Sequence, residues 1–247
     1  FEFTREFMNF EPEAWSLRWY RQMVGISSIG DTTVVTDKWM MGTRNSFFVG
    51  IVATLLATAL GTVAALGLSR PHMPFKAVLM AILISPMIVP LIITAAGMFF
   101  FYSKIGLTHT YLGLILAHTA LGTPFVVITV TATLTGFDTN LIRASQSLGA
   151  DTMRTFFKVI MPLILPGVIS GGLFAFITSF DEVVIVMFIG SVEQITIPKQ
   201  MWAGLRQETS PVILCMATCL VALSIALLTT VEMLRRRSER LRGIKQR

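Results

Sequence analysis

The sequence predicts an all-α fold, a polytopic bundle of membrane-spanning helices, and three observations carry that prediction. Hydrophobic residues make up 53% of the 247-residue chain and charged residues only 14%, against roughly a quarter charged in ordinary soluble domains. Too little polar surface is left to cover a water-facing globule. The apolar residues gather in five stretches near or above the ~20 residues that cross a bilayer: Ser46 to Ser69, Ala77 to Ser103, Thr110 to Phe137, Leu163 to Ile189 and Thr209 to Val231. The net charge of +6 concentrates after the last of them, in Arg235-Arg236-Arg237-Ser238-Glu239-Arg240-Leu241-Arg242. That is the placement of a juxtamembrane anchor rather than of a nucleic-acid surface.

These elements divide the chain into an extracytoplasmic segment (residues 1–45), a transmembrane domain (46–234) and a basic cytoplasmic tail (235–247). In the first segment, Pro12 to Tyr20 places Trp15, Trp19 and Tyr20 beside charges, the composition of a helix lying at the membrane interface, with a solvated loop as the alternative. Orientation follows from Lys and Arg, which collect on the cytoplasmic side. With the tail inside, that side holds Arg70, Lys76, Arg143, Arg154, Lys158 and seven basic residues after Val231, twelve in all against eight on the other side. Residues 1–45 then lie outside with no signal peptide to carry them, and the chain begins with Phe1, so a sixth, N-terminal helix is expected ahead of it.

Within the spans, Pro86, Pro90 and Gly97 predict kinks in the second. His118 in the third reads as a neutral, packed histidine bonded to a neighbouring helix, or as a substrate contact. Cys215 and Cys219 stack on one helix face with no metal-binding partners nearby, which favours packing. Trp202 suits an interface anchor or a docking contact. The fourth span alone carries charge, Asp181-Glu182, and a carboxylate in a bilayer costs about 2.5–3.5 kcal/mol. Three explanations fit: a cation-attracting pathway, an intersubunit hydrogen bond or ion pair, or a helix break near the outer interface. On a helix the two side chains point about 100° apart, and Asp181 is the stronger pathway residue.

The loop at 138–162 reads as helix, glycine turn, helix. Leu141, Ala144, Ser145 and Leu148 share one helical face, Gly149 suits the left-handed residue that ends a helix, and Asp151 can cap the next, whose apolar face includes Phe156, Phe157 and Ile160. Such a pair either docks a partner or packs on its own helix ends.

This loop resembles the coupling loop of binding-protein-dependent ABC importer permeases: Glu-Ala-Ala, three residues, Gly, nine residues, Ile, one residue, Leu-Pro. Arg143-Ala144-Ser145 stands at the first triplet, followed by Gly149, Val159 and Met161-Pro162. The spacing matches throughout, while Arg143 and Ser145 depart from the family residues. Ser16-Leu17-Arg18-Trp19-Tyr20, Asn45-Ser46, Gly113 to Thr119, Ser179 to Glu182 and Pro198 to Trp202 further resemble the C-type permeases of spermidine/putrescine importers.

The resemblance implies a type I ABC importer permease fold of six helices, five of them in this chain, in a bacterial inner membrane. It implies a second homologous permease, a dimeric ATPase at the coupling loop, and a periplasmic binding protein that delivers a polyamine. Arg143, Ala144, Ser145, Leu148, Gly149, Ala150, Phe156 and Pro162 would serve ATPase coupling, with Asp181 and Glu182 on the substrate pathway. The chain carries no GxxxxGK[ST] loop, so ATP and Mg are expected on the partner; no cofactor, metal or catalytic residue is expected here. The rival readings are an ion-gradient-driven secondary transporter, for which the repeats are not evident, an ABC permease for an amino-acid-like compound, ferric iron or an oxyanion, a membrane enzyme, and a structural scaffold.

Overall fold

The structure, a computed structural model, describes residues 18–23, 33–70, 72–136, 138, 140–207 and 211–241. Among them the ordered elements are helical: α1 (Arg18–Met23), α2 (Thr33–Leu68), α3 (Lys76–Ile88), α4 (Leu91–Ile105), α5 (Tyr111–Thr135), α6 (Asn140–Ser147), α7 (Thr152–Thr155), a π-helical turn (Phe156–Ile160), α8 (Met161–Phe180), α9 (Val184–Ile189), α10 (Ile197–Gln207) and α11 (Pro211–Leu241).

The centre is made by α2, α5 and α8, which pack on one another more extensively than any other elements. Lipid is as apolar as leucine, so close backbone approach rather than water exclusion must hold such helices together. Small residues provide it. A Cβ on Gly61 would sit 2.6 Å from Val126 Cβ, and one on Gly122 would sit 2.9 Å from Ala175 Cβ and 3.3 Å from Ala57 Cβ. The hydroxyls of Thr119, Thr123, Thr129 and Thr133 on α5 donate to carbonyls four residues back at 2.7–2.9 Å, which satisfies them without water. The outward faces carry exposed Leu55, Leu60, Val63, Ile93, Phe100 and Phe101, a surface suited to lipid.

Among the described residues, three helical runs are long and apolar enough to cross a membrane: Asp37–Leu68, Tyr111–Thr135 and Thr152–Phe180. The expected spans need correction in detail. The first starts earlier than Ser46, because α2 runs unbroken from Thr33 and crosses the 45/46 boundary; its 36 residues extend about 54 Å, well beyond a ~30 Å hydrocarbon core. The second is not one kinked helix but two, bent by 103°. Proline disfavours the helical region for the residue before it, and at Val89 that preference prevails, with φ −69° and ψ 133°. Pro90, lacking an N–H, then starts α4, its carbonyl accepting from Ile93 and Thr94 at 2.9 and 3.2 Å. Pro86 and Gly97 sit within α3 and α4 without breaking them.

The third span agrees closely, with Thr110 as its N-cap, Oγ1 accepting from Gly113 N at 3.0 Å. The fourth is displaced: it begins at Thr152, inside the expected loop, and stops at Phe180 rather than Ile189. The fifth falls on α11, where Pro211–Ala226 is the apolar stretch; Thr209 and Ser210 lie outside the described residues, as do Pro12 to Leu17 of the expected interfacial helix and residues 242–247 of the basic tail. Where that interfacial helix is described, α1, its Trp19 and Met23 pack against Trp39, Ile197, Val212, Ile213 and Met216. Cys215 is buried, Cys219 exposed, and both are free thiols.

If the glycine contacts set the spacing of the bundle, Gly122→Leu should destabilise the purified protein by about 1–3 kcal/mol, while Gly97→Leu, at a position with open space around it, should leave it unchanged. Thermal unfolding in detergent, followed by size-exclusion profile, reads the difference.

Candidate functional site: a hairpin and a break at opposite ends of one helix

The first site is the hairpin of α6 and α7. Asn140 N donates to Asp138 Oδ1 at 2.9 Å, opening α6. At its other end Gly149 has φ +79°, and two bonds close the helix: Ala150 N to Ser145 O at 3.1 Å and Gly149 N to Gln146 O at 2.9 Å. This is the Schellman arrangement, which requires a left-handed residue at the glycine position. Nothing lies within 4 Å of a Cβ placed there, so the demand is for backbone conformation and not for space. Asp151 caps α7, its Oδ1 accepting from Arg154 N at 2.9 Å.

The apolar side chains that periodicity placed together are divided by the fold. Leu141, Leu148, Met153 and Phe157 are exposed, Leu148 at 89%; with exposed Arg143 and Ala144 they make the outer surface of the hairpin. Ser145, Phe156 and Ile160 turn inward instead. Ser145 Oγ meets Thr155 Oγ1 at 2.9 Å, so the residue that departs from the family alanine makes the side-chain bond between α6 and α7. Thr155, which sequence reasoning passed over, is 3% exposed.

Pro162 is not in the hairpin. It lies in the first turn of α8, above the π-turn, in which Met161 N donates to Phe156 O five residues back. A proline ring collides with the carbonyl four residues before it, here Lys158, and a widened turn at that point makes room. The chain therefore passes from α7 into α8 without a joint: Thr152–Phe180 is one 29-residue helix.

The second site is the far end of α8. The backbone breaks at Asp181, Glu182 and Val183, then resumes as α9. Glu182 is 7% exposed, and its Oε1 accepts from Ile185 N at 2.8 Å, capping α9. At the other end of α9, Lys199 Nζ donates to the carbonyls of Val186, Gly190 and Ser191, each at 3.2 Å, and burial lowers this ammonium from its ordinary range. A carboxylate at the N-terminus and an ammonium at the C-terminus complement the helix dipole. Ile185, Val186 and Ile189 of α9 are fully buried against α4 and α5. Asp181, by contrast, is exposed. Two residues earlier, Ser179 Oγ lies 2.7 Å from the buried His118 Nδ1, the bond to a neighbouring helix that one reading of the sequence foresaw.

The loop after α9 is fastened to α2. Asn45 Nδ2 donates to Glu193 O and Ile195 O at 2.7 and 2.9 Å, Tyr111 Oη donates to Asn45 Oδ1 at 3.0 Å, and Ser46 Oγ accepts from Ile197 N at 2.8 Å. Trp202 is 47% exposed on α10. Among the described residues no group of His, Cys, Asp and Glu is arranged to hold a metal.

A bundle of spanning helices, with an exposed apolar hairpin joined to one of them, fits the membrane component of a transporter. The chain belongs to the family described as binding-protein-dependent transport system inner membrane component, whose profile matches residues 57–240. It is 26% identical over 236 residues to the spermidine/putrescine transport system permease protein PotC of Haemophilus influenzae, covering 96% of this chain and 88% of that one. It is 27% identical over 220 residues to the putrescine transport system permease protein PotI of Escherichia coli, covering 84% and 73%. Among solved structures, a chain from the inward-facing MetNI methionine ABC transporter covers 83% of this chain and 95% of its own length with TM-score 0.59 and 21% identity. A chain from an amino acid ABC transporter covers 85% and 100% with TM-score 0.62 and 16% identity. The fold is that of an ABC importer permease, and the chain is the permease subunit.

Because Gly149 is required for its dihedrals alone, Gly149→Asn should fold the hairpin nearly as well as wild type, and Gly149→Val should not, since β-branched residues resist positive φ. Limited proteolysis of the hairpin in purified protein should show faster cleavage in Gly149→Val only. Lys199→Met should likewise speed hydrogen exchange in α9 and leave α5 protected.

Proposed function

We propose that this permease moves a polyamine into the cytoplasm, driven by a dimeric ATPase that grips the α6–α7 hairpin, with a second homologous permease completing the pathway and a periplasmic binding protein delivering the solute. ATP and Mg are bound by the partner ATPase. The hairpin and the C-terminal tail face the cytoplasm, in keeping with the basic residues at that end.

The observation that carries the coupling role is the continuity of Thr152–Phe180. Leu141, Leu148, Met153 and Phe157 leave an apolar surface that a partner must cover, with Arg143, Ala144 and Ala150 alongside. Movement of that partner is delivered to α8 with no flexible link between, and α8 ends ~40 Å away at Asp181. Switching between inward-facing and outward-facing states would then be a rigid-body rearrangement of α8 with α2 and α5. A polyamine is supported by the names of PotC and PotI and by the exposed carboxylate of Asp181, which suits an ammonium. Glu182 is drawn into the same end of α8 as a positioning residue, because its carboxylate is occupied by Ile185 N.

The deciding experiment is ATP hydrolysis by the complete transporter in lipid nanodiscs, with the binding protein loaded in turn with spermidine, putrescine, an amino acid, ferric iron or an oxyanion. Stimulation by a polyamine alone is expected; stimulation by another solute alone would overturn the substrate, and failure to assemble with any ATPase would overturn the mechanism. Asp181→Asn should raise the apparent KM for polyamine uptake about fivefold, the effect of losing one charge contact of ~1 kcal/mol, while Gly149→Val should reduce uptake per ATP hydrolysed without loss of membrane insertion.

A further inference from the structure

Behind the hairpin, at the level where α2 and α5 end, is a cavity of about 370 Å³, within the range of small-molecule sites. Its lining divides by chemistry. Leu66 of α2, Leu134 of α5 and Ile160 of the π-turn present apolar carbon; Arg70, past the end of α2, and Gln146, on α6, present a guanidinium and a carboxamide. The Arg70 guanidinium makes no ion pair or hydrogen bond with any described residue. The loop that carries it, residues 70–76, also holds His72 and Lys76 and no acid, and its Phe75 is 80% exposed. A cavity lined by apolar carbon from the spans and by a guanidinium from the loop beyond them has the polarity of an anionic amphiphile.

We propose that the cavity binds an anionic phospholipid of the surrounding bilayer, its phosphate on Arg70 and the start of an acyl chain against Leu66, Leu134 and Ile160. The hairpin adds Ile142 and Gln146 to the same lining, and Phe156 joins Ile160 from the π-turn. The bound lipid therefore braces the hairpin against α2 and α5, where the Ser145–Thr155 bond otherwise joins α6 to α7. The regulatory consequence rests on the coupling role proposed above: acidic lipid raises the uptake obtained per ATP hydrolysed.

The test is native mass spectrometry of the intact transporter released from nanodiscs of phosphatidylcholine with and without phosphatidylglycerol, for wild type, Arg70→Gln and Ile142→Trp, the last filling the cavity. Wild type should retain phosphatidylglycerol in preference to phosphatidylcholine, and Arg70→Gln should retain about fivefold less, the effect of one basic residue at an anionic surface. Ile142→Trp should lose retention while still assembling with its partners. Equal retention in all three would overturn the proposal, as would inorganic phosphate displacing nothing while a Gln146→Cys side chain crosslinks to a partner subunit, which would mean that protein fills the cavity. Lipid retention that follows the prediction in a transporter whose hydrolysis no polyamine stimulates would sink the polyamine reading and leave the lipid site standing.

Discussion

Inside a bilayer a broken helix has no water to turn to, so each interruption must settle its own backbone groups. Everything distinctive in this structure follows from how helices are interrupted at four places, three of them in or beside the spans and one, Gly149, in the hairpin outside them. At Val89-Pro90 the proline itself removes the donor that would be orphaned, and its carbonyl starts the next helix. At Asp181–Val183 the charged side chains of Glu182 and Lys199 close the two ends of α9, so a six-residue helix that would be unstable alone is held from both sides. At Gly149 the backbone closes on itself through two bonds. At the π-turn the helix widens instead of breaking, and the strand of hydrogen bonds continues past Pro162.

These solutions have mechanical consequences. Where side chains and packing close the break, as at α9, the joint is fixed: Ile185, Val186 and Ile189 are fully buried, and Asn45 and Ser46 pin the following loop. Where the helix is continuous, as from Thr152 to Phe180, displacement at one end appears at the other. The compliant part is α6, short, mostly exposed and backed by a cavity, the combination expected of elements that open at low free energy. Glycine-mediated contact among α2, α5 and α8 makes the remainder stiff, since tightly packed interfaces tend to move as bodies. On the coupling role proposed above, α6 would be the grip and Thr152–Phe180 the rigid arm.

Much of this was legible in the chain. Gly149 and Asp151 announced the turn and the cap because both act within five residues of themselves, and local backbone chemistry is written locally. The family spacing identified the hairpin for the same reason. What escaped was set by residues far apart. Nothing near Lys199 indicates that its ammonium closes a helix ten residues earlier, and nothing near Asn45 indicates that it binds residues 193 and 195. The end of the fourth span was misplaced because Val183 to Ile189 is as apolar as any spanning residue; composition alone cannot tell a short buried helix from the continuation of a long one. The proline bend was underestimated because a kink and a 103° break share one sequence signal.

The adjacent carboxylates of Asp181 and Glu182 show how structure separates residues that sequence leaves equivalent. Both carry the same cost near a bilayer, and on a continuous helix both would have to find partners. By ending α8 at Phe180, the fold turns Glu182 inward, where a backbone N–H of α9 offsets its burial. Asp181 receives no such compensation: its N–H closes α8 on Ile177 O at 3.0 Å, while its carboxylate bonds to no described residue. Since the break is closed without the Asp181 carboxylate, stability of this chain gives no reason for an acid at position 181. On the function proposed above, an acid there answers to the cationic solute, at the end of the helix that the hairpin would drive.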